Sequence, residues 1–185
     1  MLSFKKAFLL PLLLLSACGW HAGEGDLIHT NETVVIPFAE GDWQGTLTRK
    51  LVDKVATETA LTVVNCDADL ELAVIIRRRD EENVGFRYDR NNRGERIDYI
   101  IPSETRVTLF AEVTLLERAT GCARMGPLLF EASYDFDHDY YSSQNAVNIF
   151  SLGQLTDYDE AIDAALVPLY EKLAEKITDY LQNAW

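Results

Sequence analysis

Three groups of residues in this chain have the types and spacing that chemistry requires. Arg77, Arg78, Arg79, Arg87, Arg90, Arg93 and Arg96 fall close together in a chain that has 17 lysines and arginines and a formal charge of −13. Guanidinium forks match phosphate and carboxylate oxygens two at a time, so the cluster suits a phosphorylated ligand or an acidic partner. Arg77, Arg79, Arg87, Arg90 and Arg93 are the candidate contacts. The alternative is that they balance their neighbours Asp80, Glu81, Glu82, Asp89, Glu95 and Asp98. In the second group, Asp135-Phe136-Asp137-His138-Asp139, strand alternation sets three carboxylates on one face and His138 on the other. Three oxygens on one face could hold a hard cation such as calcium, but the reading taken is a solvated strand face at the rim of an acidic protein, and no metal site is assigned. The third group is the cysteines, Cys18, Cys66 and Cys122. No Gly-x-Ser-x-Gly elbow, phosphate-binding glycine loop, His-Glu-x-x-His or paired Cys-x-x-Cys is present. The expectation is a protein that is not an enzyme and needs no cofactor.

Cys18 takes its meaning from what precedes it. Lys5 and Lys6 are followed by an apolar run from Ala7 to Leu15, broken only by Pro11, and then by Ser16-Ala17. This is the three-part build of a secretory leader. The run is far short of the roughly 20 apolar residues that a membrane-crossing helix needs, so cleavage is expected. Leu15-Ser16-Ala17-Cys18 resembles the bacterial lipobox, in which the thiol becomes the acyl acceptor. Each buried methylene of an acyl chain adds about 0.8 kcal/mol of membrane affinity, so two or three chains hold a protein nearly permanently. Residue 19 is Gly rather than Asp, which by the usual sorting pattern points to the outer membrane. Removing residues 1–17 also removes Lys5 and Lys6, and the formal charge falls from −13 to −15. So acidic a chain is poorly suited to nucleic acid, and an anionic ligand needs a local basic site. With Cys18 acylated, Cys66 and Cys122 remain in a compartment that permits disulfides.

The elements that position these residues follow from periodicity. The expected division is 1–17 leader, 18–32 lipidated tether and 33–185 a single domain. Thr33 to Phe38 reads as a first strand ending at Pro37, and Leu47, Leu51, Val52, Val55 and Ala56 read as an amphipathic helix of about four turns. Leu61 to Asn65 is a second strand. Leu70, Leu72, Val74 and Ile76 alternate along a third, with the even face toward the core. Val84 to Tyr88 extends it past a polar interruption, and Asp89 to Asp98 is a charged loop. Arg106 to Glu117 and Arg124 to Asp137 form the longest pair, joined at Ala119-Thr120-Gly121-Cys122. A helix from about Asp157 to Asn183 closes the chain, and Pro168 predicts either a kink near residue 164 or two helices end to end. The order β-α-β-β-β-β-α gives an α+β, two-layer fold: a mostly antiparallel sheet of four to five strands with both helices on one face. That topology puts Cys66 and Cys122 at the same end of the sheet, which leaves a disulfide and two free thiols as equal alternatives.

Cys18-Gly19-Trp20-His21 resembles the mature start of the LPS-assembly lipoprotein (LptE) family. Ile36 to Trp43 (IPFAEGDW), Asn83 to Asp89 (NVGFRYD) and Phe150 to Leu155 (FSLGQL) are similar to segments of divergent members. The resemblance spans nearly the whole mature chain. It implies a non-enzymatic α/β plug inside the outer-membrane barrel LptD that faces the periplasm, helps the barrel assemble and contacts lipopolysaccharide. Two features depart from the family: the acidity of the domain and Pro168. The other reading of a lipoprotein of this build is an activator of a cell-wall synthase.

Overall fold

A computed structural model of the chain describes residues 31–91, 93–138 and 158–183. Cys18, the leader, nearly all of the tether with His21 and His29, Asp139 and the segment 150–155 lie outside the described residues. Among the described residues the order is β1 (Thr33–Val35), α1 (Thr46–Glu58), β2 (Thr62–Val63), β3 (Leu70–Arg90), β4 (Arg96–Glu117), β5 (Ala123–Asp137) and α2 (Tyr158–Asn183). The five strands form one sheet in the order β2-β1-β3-β4-β5. β1 runs parallel to both β2 and β3, while β3-β4 and β4-β5 are antiparallel. The α+β layout expected from periodicity is the one observed.

One face of the sheet carries the core. Leu70, Leu72 and Val74 of β3 and Val107, Leu109, Ala111, Val113 and Leu115 of β4 are buried together with Leu47, Leu51 and Val55 of α1. From α2, Ile162, Ala165, Leu169, Leu173, Ile177 and Leu181 join the same cluster. Both helices therefore cover this face. Each such fully buried leucine or isoleucine contributes about 1.5–3 kcal/mol relative to an exposed one. Lys50 and Lys54 of α1 both pair with Glu171 of α2, at 2.5 and 3.2 Å, which fixes the helices side by side. The hydrogen bond from Lys50 and the second one from Lys54 hold the Glu171 carboxyl below its ordinary range.

Besides shorter β1 and β2, three differences from the sequence reading bear on the site. Residues 79–83, expected as an interruption, lie within β3, because β4 supplies a cross-strand partner for each of them from Arg79↔Leu109 to Asn83↔Thr105. For the same reason β4 begins at Arg96, and the charged loop shrinks to a turn around Asn91 to Glu95. Backbone pairing outweighs the weak strand propensity of Asp, Glu and Asn where both faces meet solvent. Third, Pro168 lies inside one helix of 26 residues rather than between two. The carbonyl deprived of its bond is that of Ala164, an exposed residue, so water can satisfy it.

α2 also holds a buried defect. Thr178 is fully buried, and its Oγ1 has no hydrogen-bond partner among the described residues. Valine has the same shape without the hydroxyl, so Thr178→Val is expected to raise the unfolding free energy by about 1 kcal/mol. A urea titration in which the variant unfolds at lower denaturant than wild type would contradict this.

Candidate functional site

The arginines do not form one cluster in space. Consecutive residues of a strand advance about 3.3 Å, so Arg77 and Arg90 at the two ends of the run are on the order of 40 Å apart along β3. The single cluster expected from their nearness in sequence is corrected accordingly: there are two separate groups.

The first group sits at a β-bulge. Pairing steps from Ile76↔Ala111 to Arg78↔Phe110, which leaves Arg77 as the extra residue. A bulge of this kind undoes simple alternation. Arg77 and Arg78 therefore share the open face of the sheet, although neighbours in a regular strand point to opposite faces. Arg77 grips Glu112 with both Nε and Nη2, at 3.2 and 2.7 Å. That bond holds the Glu112 carboxyl below its ordinary range and the Arg77 guanidinium above its own. Arg78 lies 4.3 Å from the centre of the Phe110 ring and pairs with Asp80. Arg79 pairs with Glu81 and turns to the helix-covered side, as its partner Leu109 does. There a groove of about 520 Å³ opens between Trp43, Gln44, Arg79, Asp163 and Tyr170. Each arginine of this group already holds a carboxylate, which is the charge-balancing alternative read from the sequence.

The second group rides on a projecting ribbon. β5 pairs with β4 only as far as Glu104↔Asp137, whereas β3 and β4 continue together to Arg90↔Arg96. Asn91 organises the turn, its Oδ1 accepting the N–H groups of Arg93 and Glu95 while its Nδ2 donates to Glu95. Arg90 Nη1 donates to the Gly94 carbonyl at 2.8 Å. On one face of the ribbon Phe86 and Tyr88 lie across from Pro102 and Ile100. Phe86, Tyr88 and Ile100 are 60%, 46% and 57% exposed, and the Arg96 guanidinium stacks 3.4 Å from the Tyr88 ring centre. The ribbon thus joins an exposed apolar ladder to the cations Arg87, Arg90, Arg93 and Arg96. The sequence reading named the arginines and passed over the ladder, although Phe86 and Tyr88 already stood two apart before a turn.

Of the acid and histidine group, Asp135 and His138 both have partners among the described residues, and Asp139 lies outside them. Arg106 holds Asp135 by two bonds of 2.7 Å, which keeps the Asp135 carboxyl below its ordinary range. His138 is buried, with Nε2 at 2.8 Å from Thr105 Oγ1 and its ring edge-on to Tyr158. No group of three His, Cys, Asp or Glu able to hold a metal occurs among the described residues. Tyr158, at the start of α2, donates to Glu81 at 2.5 Å. Burial, followed by that bond and the charge of Glu81, pushes its phenol from 10.0 up to about 12. The neutral phenol is the favoured form in the fold. Its contribution to stability is therefore complete below pH 10 and fades as pH rises toward 12.

Cys66 and Cys122 are both exposed and are not bridged in this structure. Cys66 follows β2 in the connection that reaches β3 past β1, and Cys122 follows β4 in the hairpin to β5.

No protein-family model matches the chain, and no curated protein matches it. Solved structures do. Lipoprotein B from Nitrosomonas europaea superposes with a TM-score of 0.52 at 12% identity, over 89% of this chain and 90% of that one. The minor lipoprotein from Acinetobacter baumannii gives 0.50 at 9% identity, over 82% and 90%. Rare lipoprotein B from Shewanella oneidensis gives 0.48 at 13%, over 80% and 92%. At these identities the likeness is one of fold. The chain has the α+β fold found in bacterial lipoproteins, and the first two structures carry that statement.

Proposed function

We propose that this chain is an outer-membrane lipoprotein of lipopolysaccharide assembly, acylated at Cys18, facing the periplasm and acting as a non-enzymatic partner of the LptD barrel. The observation that carries the reading is the lipobox Leu15-Ser16-Ala17-Cys18 in front of a domain whose fold occurs in bacterial lipoproteins. The segments Ile36 to Trp43 and Asn83 to Asp89 add the resemblance to the LptE family. They form the turn leading into α1 and the exposed ladder of the ribbon. The ribbon supplies the surface for lipopolysaccharide: a cationic end for phosphates beside an apolar face for the acyl region.

The test has two arms. Full chain purified in detergent from envelopes is expected to bring down an outer-membrane barrel much larger than itself; recovery of a cell-wall synthase instead assigns the domain to synthase activation. In the second arm, Arg87, Arg90 and Arg93 are changed to Ala and lipopolysaccharide binding is measured at low salt. Each charge-assisted contact contributes roughly 1.5–3 kcal/mol before screening, so at least a tenfold loss of affinity is expected. Added salt should weaken wild-type binding as well, because the Debye length is only about 8 Å at physiological ionic strength. Unchanged lipopolysaccharide binding by a triple variant that keeps its wild-type melting temperature overturns the role of the ribbon.

A further inference from the structure

Among the described residues β5 is the outer strand on its side of the sheet, and 15 residues is long for an edge. In an antiparallel pair, alternate residues turn both N–H and C=O away from the neighbour. On β5 the carbonyls of Glu131 and Ser133 are turned outward, because both accept bonds from side chains of α2 instead of from β4. Lys176 Nζ donates to Glu131 O at 2.8 Å, and Lys172 Nζ donates to Ser133 O at 3.2 Å. Lys172 Nζ also lies 5.1 Å from the centre of the Tyr134 ring.

The spacing of these two bonds is dictated by geometry. Residues four apart on a helix are separated by about 6 Å along its axis. Alternate residues of a strand are separated by about 6.8 Å. A pair of lysines at i and i+4 on a helix beside an edge can therefore occupy two successive outward carbonyls. An added strand would need those same two acceptors for its own N–H groups, and would have to bury or displace two ammonium groups to reach them. Further toward the start of β5, Pro127 has no N–H to offer a newcomer. Unpaired edges invite pairing with another chain, and lysine is a common means of preventing it.

We propose that Lys172 and Lys176 guard the β5 edge, and that without them this edge pairs antiparallel with the β5 edge of a second copy of the chain. A two-fold axis gives each copy the strand that the other needs, so a single surface suffices.

The experiment uses the full chain in density-matched detergent and the double variant Lys172→Met and Lys176→Met, which keeps the unbranched stems and removes the donors. Sedimentation is expected to show wild type as a single copy and the variant as a dimer at micromolar concentrations. Amide exchange should slow at least tenfold at Leu129, Glu131, Ser133 and Asp135, the residues whose N–H groups face outward. Lys172→Arg with Lys176→Arg keeps charge and donor and should remain a single copy. Adding Glu131→Pro to the methionine variant should restore the single copy, since an outward N–H is not used by β4. The proposal is overturned if the methionine variant, folded by circular dichroism, stays a single copy at every concentration. It is equally overturned by a dimer whose β5 amides gain no protection. Should the double variant fail to fold, Lys176→Met alone is measured by the same two readouts and judged by the same outcomes.

Discussion

Replacing Asp42 with alanine lowers the unfolding free energy by about 3–5 kcal/mol. Asp42 is 1% exposed, and both of its carboxylate oxygens are engaged with the start of α1. Oδ1 accepts the Thr46 N–H at 3.1 Å, while Oδ2 accepts the Thr48 N–H at 2.8 Å and the Thr48 hydroxyl at 2.9 Å. The first N–H groups of a helix have no partner within it, and here one buried side chain satisfies two of them. Gly45, the residue before the helix, provides no side-chain cap. Its φ of +70° folds the chain back so that Asp42, four residues ahead of Thr46, can do so. The same network holds the preceding turn, because Thr48 Oγ1 also accepts the Ala39 N–H at 3.0 Å. Truncation takes the acceptor from two backbone N–H groups and the Thr48 hydroxyl in a partly buried site, at about 1–3 kcal/mol for each donor left unpaired, besides the lost charge-assisted bonds. Asp42→Asn retains one acceptor and turns an amide N–H₂ toward the donors, so it should fall between alanine and wild type. Urea unfolding followed by circular dichroism decides the matter; a loss under about 1 kcal/mol for Asp42→Ala would refute the capping role.

Asp42 also marks where reading the sequence stops working. The helix that follows Asp42 is legible in the sequence, because apolar spacing of three and four needs no knowledge of distant contacts. The cap was not legible. It depends on a left-handed glycine and a reach of four residues, whereas the usual capping residue directly adjoins the helix. The core face of β3 was legible through Leu70, Leu72 and Val74 for the same local reason. It ceased to be so at Arg77, since nothing in three consecutive arginines announces a bulge.

The arginine groups show a different failure, of distance and not of type. Nearness in sequence implies nearness in space on a helix or a turn, but an extended strand spreads twenty residues over tens of ångströms. Residues 79–83 read as a polar interruption of the strand and 89–98 as a long charged loop, so the seven arginines read as a single cluster. The information that removes the interruption is in β4, from Thr105 to Leu109, and reaches β3 only through pairing. The ladder of Phe86, Tyr88 and Ile100 was hidden similarly, since Ile100 becomes the neighbour of Tyr88 only once the turn at Asn91 has closed.

The second large effect is expected at Gly126. Its φ is +84°, a region that residues with a Cβ rarely adopt, and it lies where the β4-β5 register shifts between Val113 and Leu115. A Cβ at this position would come within 2.4 Å of the Val113 carbonyl oxygen, 3.0 Å of the Leu128 nitrogen and 3.2 Å of the Thr114 Cα. All three are backbone atoms of the two paired strands, so no side chain can swing aside to make room. Gly121, in the hairpin between the same strands, makes an internal control: its φ is +70°, yet an added Cβ would meet nothing within 4 Å. Gly121→Ala therefore bears the conformational cost alone, about 1–2 kcal/mol for a non-glycine residue held in the left-handed region. Gly126→Ala bears that cost and must also push β4 and β5 apart beside Val113 and Met125, which are both core residues. A loss of about 3–5 kcal/mol is expected, in the range reached when a core is overpacked and a strained backbone is imposed together. The comparison is made by thermal unfolding of the two alanine variants beside wild type, with melting temperature falling in the order wild type, Gly121→Ala, Gly126→Ala. Equal melting temperatures for the two variants would mean that the strands at the bulge separate freely, and that the close approach of Gly126 to β4 contributes nothing to holding the sheet.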